Sequence, residues 1–544
     1  MKELLLSRGG ESRYHIESCP GTEFAAGELA AYIEKICGVR LPEAGDGPAL
    51  RLQLPEGDAH AMRNAEGFVI EADGEDILIR GEGPRGVIYA VYTLLEDCFG
   101  CRFFAEDCEL IPPAETLVLP GDLHIEKHPA FCYRDVFLAA MSPACKVKNK
   151  VNATLPKDIP GGQYFFAESI AHTICQLAEM EDVKTGDQPC LTDEKVFQTV
   201  LKNCRKWLDA NPDAAVISVT QNDGYGHQRG CQCENCRKID EAEGSFAGTM
   251  ISFVNRIAEA LEPDYPDVLV DTFAYRYTRK APKTVRPRHN VVVRFCTIES
   301  CFAHPIESEC RATEDSIYGT VSLAQDLRDW SAISDKLFIW DYCTNFSRYL
   351  MPFPDLFSIR ENVNFFYKCN AIGVFEEGDY QNKVDGELNA LRAYLLAKLL
   401  WDPDMDEETY RGHMLEFLQN YYGAAWEPVY RYILSMHERA LRQHSGIYSY
   451  SPTIFGYEMM NEETTNAFRA DYAKWVSFFD EADALADSDA VRHRLQLARL
   501  SLEVLKVCAP GVLSFLPEQI TRERLYPKLK EMGIVYYREG FVMP

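Results

Sequence analysis

Short apolar runs alternate with helical patterns through the middle of the chain. Each run is continuous, rich in β-branched or aromatic residues, and ends in acidic residues. The clearest four are Ala215–Gly224, Val291–Ser300, Leu337–Tyr342 and Ala371–Tyr380. Such runs are typical of strands that are buried on both faces of a parallel sheet. Because active sites of βα-barrels form where the strands end, we expect these acidic residues to share one cleft.

We predict eight strands in this region, with helices between most of them. The strands are Phe131–Leu138, a segment near Gln163–Phe166, a segment near Gln188–Leu191, Val216–Thr220, Val268–Tyr275, Val291–Thr297, Leu337–Asp341 and Gly373–Phe375. The best helical pattern between them is Phe246–Leu261. Strands that alternate with helices over about 250 residues predict an α/β fold with a (β/α)8 TIM barrel.

The two ends of the chain have different patterns from the middle. Near the N-terminus, helices at Phe24–Cys37 and Pro84–Phe99 flank a hairpin at Gly67–Gly83, which predicts a small α+β domain. From Gly386 onward the strand pattern stops and amphipathic helices follow, which predicts an all-α domain. The predicted domains are therefore residues 1–120, 121–385 and 386–544.

Composition and charge disfavour nucleic acid and membranes as binding partners. The 544 residues are 47% hydrophobic and 26% charged, and the formal net charge of -27 disfavours nucleic acid as a partner. No apolar run reaches the roughly 18–20 residues that a membrane span needs, so we expect no membrane partner. The N-terminal residues lack the apolar core of a secretory signal, and the 19 cysteines fit reduced thiols, so we expect a cytoplasmic protein.

Carboxylates at the predicted strand ends are the first candidates for chemistry. Glu299 is our first choice for a general acid, because partial burial raises a carboxyl pKa as an acid catalyst requires. The alternative is that Glu299 is paired with an arginine such as Arg294 or Arg276. Asp223 follows the fourth strand, although Asn-Asp-Gly is also an ordinary turn sequence.

Further residues near the same edge are candidates for substrate binding. Glu376 and Glu377 are adjacent and cannot both face the cleft, and we favour Glu377 as the one that does. Asp341 and Tyr342 can hold sugar hydroxyls, and His172 can contact substrate from the second loop. A gathering of carboxylates at such an edge indicates cleavage of a glycosidic bond.

The segment RGCQCENCRK contains a possible metal motif. Cys231, Cys233 and Cys236 offer three thiolates on one loop, whereas zinc takes four nitrogen or sulfur ligands. His227 is the nearest fourth candidate. Such a zinc is expected to be structural, and the alternative is a set of free or redox-active thiols. We expect no required cofactor, since the sequence has no nucleotide-binding or redox-cofactor motif.

Several long motifs resemble those of one protein family. The runs CQCENC, FVNRIAEAL, FIWDYCTNFSRYLMPFPD, GVFEEGDY and LRAYLLAKLLWDPD resemble the domain of unknown function 4838, whose members are classed as glycoside hydrolase family 163. The N-terminal run GVIYAVYTLLEDCFGCRFF resembles the small domain that precedes the barrel in family 20 hexosaminidases and family 67 α-glucuronidases.

The resemblance implies an endo-acting hydrolase of β-linked N-acetylglucosamine in complex N-glycans, with the sugar's own acetamido group as nucleophile. It implies Glu299 as acid/base and Asp223 or Glu377 as the group that orients the acetamido. Contacts to sugar hydroxyls are implied for Asn222, Tyr275, Asp341 and Tyr342. Because no export signal is evident, we expect the substrate to be imported oligosaccharides, or the linkage preference to be different, rather than intact glycoproteins as substrate.

Two other functions fit the same pattern. An α-glucuronidase-like exo-hydrolase would need a cationic group for the uronate, and Arg276, Arg279 and Arg294 lie near predicted strands. A barrel that binds carbohydrate without cleaving it would have acidic residues that do not share the cleft.

Overall fold

A computed structural model describes residues 3–57, 64–224, 230–308, 310, 322–442, 462–508 and 521–544. The chain divides into two compact units. The first contains Met1–Cys132 and Met141–Tyr164, and the second contains Tyr133–Ala140 and Phe165–Pro544. None of the described helices is long and apolar enough to cross a membrane.

The strands of the first unit are β1 (Glu3–Arg8), β2 (His15–Glu17), β3 (Ala49–Gln53), β4 (Phe68–Asp73), β5 (Asp76–Gly81), β6 (Arg102–Ala105), β7 (Cys108–Leu110), β8 (Thr116–Pro120) and β9 (His124–Lys127). Five of them form a mixed sheet in the order β2-β3-β5-β4-β9, and the others form two pairs, β1–β8 and β6–β7. The helices are α1 (Glu23–Cys37), α2 (Pro84–Phe99) and α3 (Pro143–Lys148).

Glycine determines where several of these elements end. Gly38 and Gly100 follow α1 and α2 with φ of 74° and 72°, a left-handed conformation that costs glycine little. Gly74, with φ of 69°, lies in the turn between β4 and β5, which pair as the predicted antiparallel hairpin. The two predicted helices and the hairpin of the N-terminal region are thus confirmed.

The second unit is built on a parallel sheet of seven strands, β10 (Tyr133–Phe137), β11 (Phe166–Ala167), β12 (Val216–Ser218), β13 (Leu269–Ala274), β14 (Val291–Cys296), β15 (Leu337–Tyr342) and β16 (Ala371–Glu377). Their order in the sheet is β10-β16-β15-β14-β13-β12-β11. The first strand along the chain pairs with the last, so the strands follow a barrel-like order. The sheet forms a half-barrel.

One of the eight predicted strands is not a strand. The segment near Gln188–Leu191 is irregular, and the Gln188 side chain bonds the backbone N–H and carbonyl of Asn222 instead of extending a ladder. The closed eight-stranded barrel that we predicted is therefore not found among the described residues. The other seven strand predictions are confirmed, with small changes of boundary.

Helices follow most of the strands and cover the sheet. They are α4 (Ile174–Leu177), α5 (Glu194–Ala210), α6 (Glu234–Glu243), α7 (Ala247–Leu261), α8 (Leu323–Ser331) and α9 (Ile359–Lys368). One buried apolar cluster packs Phe253, Val254 and Ile257 of α7 against residues of α5 and the strands. This packing holds α5 and α7 against the strands β11 to β14.

The C-terminal part of the second unit is mainly helical. It contains α10 (Asn389–Trp401), α11 (Glu407–Tyr422), α12 (Trp426–Ala440), α13 (Glu462–Leu485), α14 (Asp489–Cys508) and α15 (Arg522–Glu531). It ends in an antiparallel pair, β17 (Tyr536–Arg538) and β18 (Phe541–Val542), so this region is not all-α as predicted. The pair matters for the site, because Glu539 lies in its turn.

Candidate active site

A cavity of about 250 Å³ lies at the carboxyl ends of the sheet strands. A single water needs only about 10–15 Å³ of such space, so this cavity admits a ligand of many atoms. It is lined by His172, Asp223, Phe273, Tyr275, Cys296, Ile298, Trp340, Tyr342, Phe346, Glu377 and Glu539. Among the predicted site residues, the structure brings His172, Asp223, Tyr275, Tyr342 and Glu377 together there.

Alternation along the strands separates neighbouring candidates. Tyr342 of β15 is paired in register with Glu377 of β16, and both line the cavity. Asp341 is paired with Glu376 one position earlier, and these side chains face the opposite side of the sheet. The preference for Glu377 over Glu376 agrees with this placement. The same placement does not support the predicted contacts of Asp341 and Glu376 with sugar.

The Glu377 carboxyl has the electrostatic setting of an acid catalyst. Burial is the main cause that raises its pKa to about 8, and the negative charge of Glu539 adds to the effect. The Trp340 indole Nε1 donates a 2.8 Å hydrogen bond to Glu377 Oε2, which acts in the opposite direction. Glu377 is therefore protonated at neutral pH while it remains in contact with the cavity.

Asp223 takes part in a short chain of polar contacts at the cavity wall. The Tyr275 hydroxyl donates to Asp223 Oδ1 at 3.1 Å and accepts from Arg276 Nε at 2.7 Å. Burial raises the pKa of Tyr275 well above its usual value, so the phenol stays protonated. These two hydrogen bonds fix Asp223 Oδ1, and they connect the Arg276 side chain to Asp223 through the Tyr275 hydroxyl.

Two residues at this wall have left-handed backbone conformations. His172 has φ of 55° and Arg276 has φ of 52°, values that are uncommon for residues other than glycine. The Gln221 carbonyl oxygen lies 2.9 Å from His172 Nδ1, so Nδ1 carries a hydrogen and donates to that oxygen. Backbone strain of this kind concentrates at functional sites.

Glu539 completes the acidic lining and was missed by sequence reasoning. Its backbone N–H donates to Phe346 O at 3.1 Å, and its Oε1 accepts from the Tyr380 hydroxyl at 3.1 Å. Its pKa is raised by partial burial and by the charge of Asp223. No pattern in the sequence points to this residue, because it lies in a turn more than 160 positions beyond the last sheet strand.

Apolar and aromatic groups form the rest of the lining. Phe273, Cys296 and Ile298 were not singled out from the sequence, and neither was Phe346. Trp340 both lines the cavity and packs on Phe375, with ring centroids 4.6 Å apart. Such a surface suits the apolar face of a sugar ring.

A buried ion pair lies beneath this lining. Arg294 Nη2 is 2.8 Å from Asp271 Oδ2, and both side chains are fully buried. The Arg294 guanidinium also stacks against Phe273 and Trp340, at 5.7 and 5.6 Å from their ring centroids. Arg294 is therefore occupied within the half-barrel and does not line the cavity.

Glu299, our first choice for the acid, lies outside the cavity lining. Its Oε2 is 3.4 Å from Arg279 Nη1, and Arg279 is also paired with Asp326 at 2.7 Å. The ion pair that we weighed as the alternative is thus present, with Arg279 in place of Arg294 or Arg276. A role for Glu299 as acid/base stays a prediction that its position does not favour.

Asn222 is also absent from the cavity lining. Its amide Nδ2 donates to the Lys184 carbonyl at 3.1 Å. The backbone N–H of Asn222 donates to Gln188 Oε1, and its carbonyl accepts from Gln188 Nε2. The Gly186 N–H donates to Asp223 O at 2.6 Å. Asn222 therefore helps to hold the segment that carries Asp223.

A second group of carboxyls is buried on the outer side of the sheet. Burial and the charges of Asp341 and Asp355 raise the pKa of Glu376 well above its usual value. Burial also raises the pKa of Asp341 to about 7, although its carboxylate accepts a hydrogen bond from Thr297. Arg392 Nε lies 2.8 Å from Asp355 Oδ1 and provides the positive charge of this group.

The three cysteines of the CxCxxC motif come together with a fourth. The sulfur atoms of Cys190, Cys231, Cys233 and Cys236 all lie within 4.8 Å of one another. His227, the fourth ligand considered from the sequence, lies outside the described residues. Cys190 could not be assigned to this motif from the sequence, because a pairing across some forty positions leaves no local signal.

Comparison with known proteins relates the fold to carbohydrate-active enzymes. The profile described as "Glycosyl hydrolase family 20, domain 2" matches residues 9–96. A family GH115 4-O-methyl-α-glucuronidase with specificity for decorated arabinogalactans is similar in structure, with a TM-score of 0.59 at 10% identity over 97% of this chain and 76% of that one. This likeness shows a shared fold.

Two family 20 structures give lower scores. The chitobiase of Flavobacterium johnsoniae has a TM-score of 0.46 at 11% identity, over 98% of this chain and 94% of that one. The exo-β-N-acetylglucosaminidase of Vibrio harveyi has a TM-score of 0.42 at 10% identity, over 77% and 76% of the two chains. A comparison with curated proteins found no match.

The family is decided by a match in the middle of the chain. The profile described as "Domain of unknown function (DUF4838)" matches residues 103–435, a range that contains the seven sheet strands and ten of the eleven cavity residues, all but Glu539. The resemblance predicted from the sequence motifs is confirmed at this level. Because the match spans more than half of the chain, the protein belongs to the DUF4838 family.

Proposed function

We propose that the protein is a glycoside hydrolase in which Glu377 is the general acid. The observation that carries this proposal is a carboxyl that stays protonated to a pH of about 8 and faces a cavity shared with two other carboxyl groups. A protonated carboxyl donates its proton to the glycosidic oxygen as the C–O bond breaks. The shared fold with a glycosidase supports the same class of reaction.

The lining of the cavity favours a neutral sugar. Three carboxyl groups, those of Asp223, Glu377 and Glu539, line it, and no lysine or arginine is among its described lining residues. An anionic sugar would be repelled by the carboxylates of Asp223 and Glu539, which remain when Glu377 is protonated. An N-acetylated sugar fits better, because its acetamido methyl group can lie on the apolar lining while its N–H is held by a carboxylate.

Asp223 is the carboxylate that we propose for this contact. It is held by the Tyr275 hydroxyl and has a second oxygen available to accept an acetamido N–H. An acetamido group held in this way can attack the anomeric carbon through its carbonyl oxygen while Glu377 protonates the leaving oxygen. Water then opens the cyclic intermediate, and the Glu377 carboxylate accepts the proton of that water.

The proposed substrate is β-linked N-acetylglucosamine within complex N-glycan-type oligosaccharides, cleaved internally, as in glycoside hydrolase family 163. The test is a mass-spectrometric digest of a complex N-glycoprotein, of its released glycans and of an aryl β-N-acetylglucosaminide. Products that end in one N-acetylglucosamine from the first two substrates support endo cleavage. Cleavage of the aryl glycoside alone supports exo cleavage and contradicts the endo assignment.

A second candidate is an exo-acting glucuronidase. Arg276, whose guanidinium contacts the Tyr275 hydroxyl at the cavity wall, is the observation that favours it. An aryl α-glucuronide in the same digest separates the two candidates. Cleavage of that substrate alone, lost in Arg276→Gln, would replace the proposed specificity but keep the hydrolase class.

A further inference from the structure

Four cysteines from two separate segments of the chain converge. Cys190 lies shortly before α5, whereas Cys231, Cys233 and Cys236 lie at the start of α6. The distance from Cys190 Sγ to Cys233 Sγ is 3.7 Å, and that to Cys236 Sγ is 3.9 Å. Cys233 is exposed, and Cys190 and Cys231 are partly exposed, so these thiols are not simply apolar core residues.

The sulfur spacing is that of a tetrahedral metal site. With Zn–S bonds of about 2.3 Å, tetrahedral geometry places sulfur atoms about 3.8 Å apart. A disulfide instead needs a separation of about 2.05 Å. The two observed distances match the first value and are far from the second.

The surroundings of the sulfurs favour thiolates. Cys233 is the N-terminal cap of α6 and Cys236 lies in its first turn, where the helix dipole stabilises negative charge. The Thr192 hydroxyl oxygen lies 3.4 Å from Cys236 Sγ and can donate to the sulfur. Thiolates are soft ligands that select zinc over hard cations.

We propose that Cys190, Cys231, Cys233 and Cys236 form a structural site for one Zn²⁺ ion. Binding releases the four thiol protons to solvent and leaves four Zn–S bonds, with no oxidation or reduction. All four positions of the tetrahedron are filled by protein sulfur, so the ion has no open position for catalysis. Its function is to join the segment before α5 to the segment that begins α6.

On the proposed function, in which Asp223 holds the acetamido group, the zinc site also helps to keep Asp223 in place. Cys190 is two residues beyond Gln188, which holds the Asn222 backbone, and Gly186 bonds the Asp223 carbonyl. Zinc bound at Cys190 would therefore limit the motion of the segment that fixes this carboxylate. Loss of the ion should lower hydrolysis without removing the Glu377 carboxyl.

The test is the metal content of the full-length protein purified without chelators from zinc-supplemented cells. We expect one zinc per chain in the wild type, and loss of zinc in Cys190→Ser and Cys233→Ser. Cys37→Ser, which changes a partly exposed thiol in α1, is the matched control and should retain it. His304→Ala should also retain it, and this variant separates the site from the group of Cys301, His304 and Cys310, whose ligand atoms also lie close together.

A second measurement does not depend on the folding of the variants. A mercurial that reacts with thiols should release one zinc per wild-type chain, detected with a chromogenic chelator. Wild-type protein without zinc, zinc that persists in Cys190→Ser, or a disulfide between these cysteines under non-reducing mass spectrometry would overturn the proposal. Failure of the glycan digest with zinc still bound would refute the proposed function alone.

Discussion

Two groups of carboxyls occupy the same end of the second unit's sheet and differ in their access to solvent. The inner group, Asp223, Glu377 and Glu539, lines a cavity. The outer group includes Asp341, Glu376 and Asp355, and Glu376 is only 1% exposed. Burial raises the pKa of a carboxyl in both groups, so a raised pKa by itself does not identify a catalytic residue.

The charge balance of the two groups also differs. The outer group has a buried counter-ion, Arg392, which bonds Asp355 and Glu387. The inner group has no arginine or lysine among its described lining residues. We infer that the outer group serves stability and the inner group serves chemistry, and each of the following predictions tests that division.

The largest expected effect is that of Glu377→Gln. Loss of a general acid should lower kcat by about 10²–10⁴-fold on substrates with poor leaving groups. The measurement is steady-state hydrolysis, with the melting temperature as a check on folding. Glu376→Gln is the matched control, since it makes the same change one position away, and an equal loss of kcat in both variants would contradict the division.

Arg392→Met should give the largest loss of stability. It leaves Asp355 and Glu387 buried without their partner, which typically costs about 3–5 kcal/mol in free energy of unfolding. Urea denaturation measures this change. Arg411→Met, which removes an exposed ion pair with Glu407, should cost less than about 1 kcal/mol. Similar losses in the two variants would show that the outer group does not depend on its counter-ion.

Glu376→Gln should stabilise the protein increasingly as the pH rises. The folded-state pKa of Glu376 is raised, so the folded protein keeps a proton that the unfolded chain loses above the ordinary pKa of glutamate. The stability of the wild type relative to the variant should fall by about 1.4 kcal/mol per pH unit between those two pKa values. Chemical denaturation at several pH values measures it, and a constant difference would refute the buried, protonated state.

The pH profile of kcat/KM reports the pKa values of the free enzyme and provides a test of Glu377. Because a general acid acts in its protonated form, kcat/KM should decline above a pH of about 8, toward tenfold per pH unit. Trp340→Phe removes a hydrogen bond that lowers this pKa, so the decline should move to higher pH. If the decline at alkaline pH stays at the same pH in Trp340→Phe, the group that titrates is not Glu377.

The smallest expected effect is that of Glu299→Gln. Its carboxylate contacts Arg279 rather than the cavity, and Arg279 keeps its bond to Asp326. We expect the rate to change by less than about tenfold, which corresponds to about 1.4 kcal/mol. A loss as large as that of Glu377→Gln would restore Glu299 as the acid and exclude our assignment.

Strand-end position alone proved a poor guide to which carboxyl reaches the cavity. Glu299, Asp223 and Glu377 all follow predicted strands, yet only the last two line the cavity. The exclusion of one member of the Glu376/Glu377 pair was predictable, because side chains alternate along a strand. The pairing of Glu299 with Arg279 was not, since it depends on where a loop of irregular structure returns to the sheet.

The sequence by itself determined the local elements of this protein. Apolar periodicity identified seven sheet strands and the flanking helices, and cysteine spacing identified the CxCxxC motif, because these signals are contained within a few neighbouring residues. The tertiary structure alone decided that Glu539 enters the cavity, that Cys190 joins the other three cysteines, and that the segment at Gln188 is not a strand. Burial, charge and sulfur–sulfur distance arise between residues far apart in the chain, and no local pattern records them.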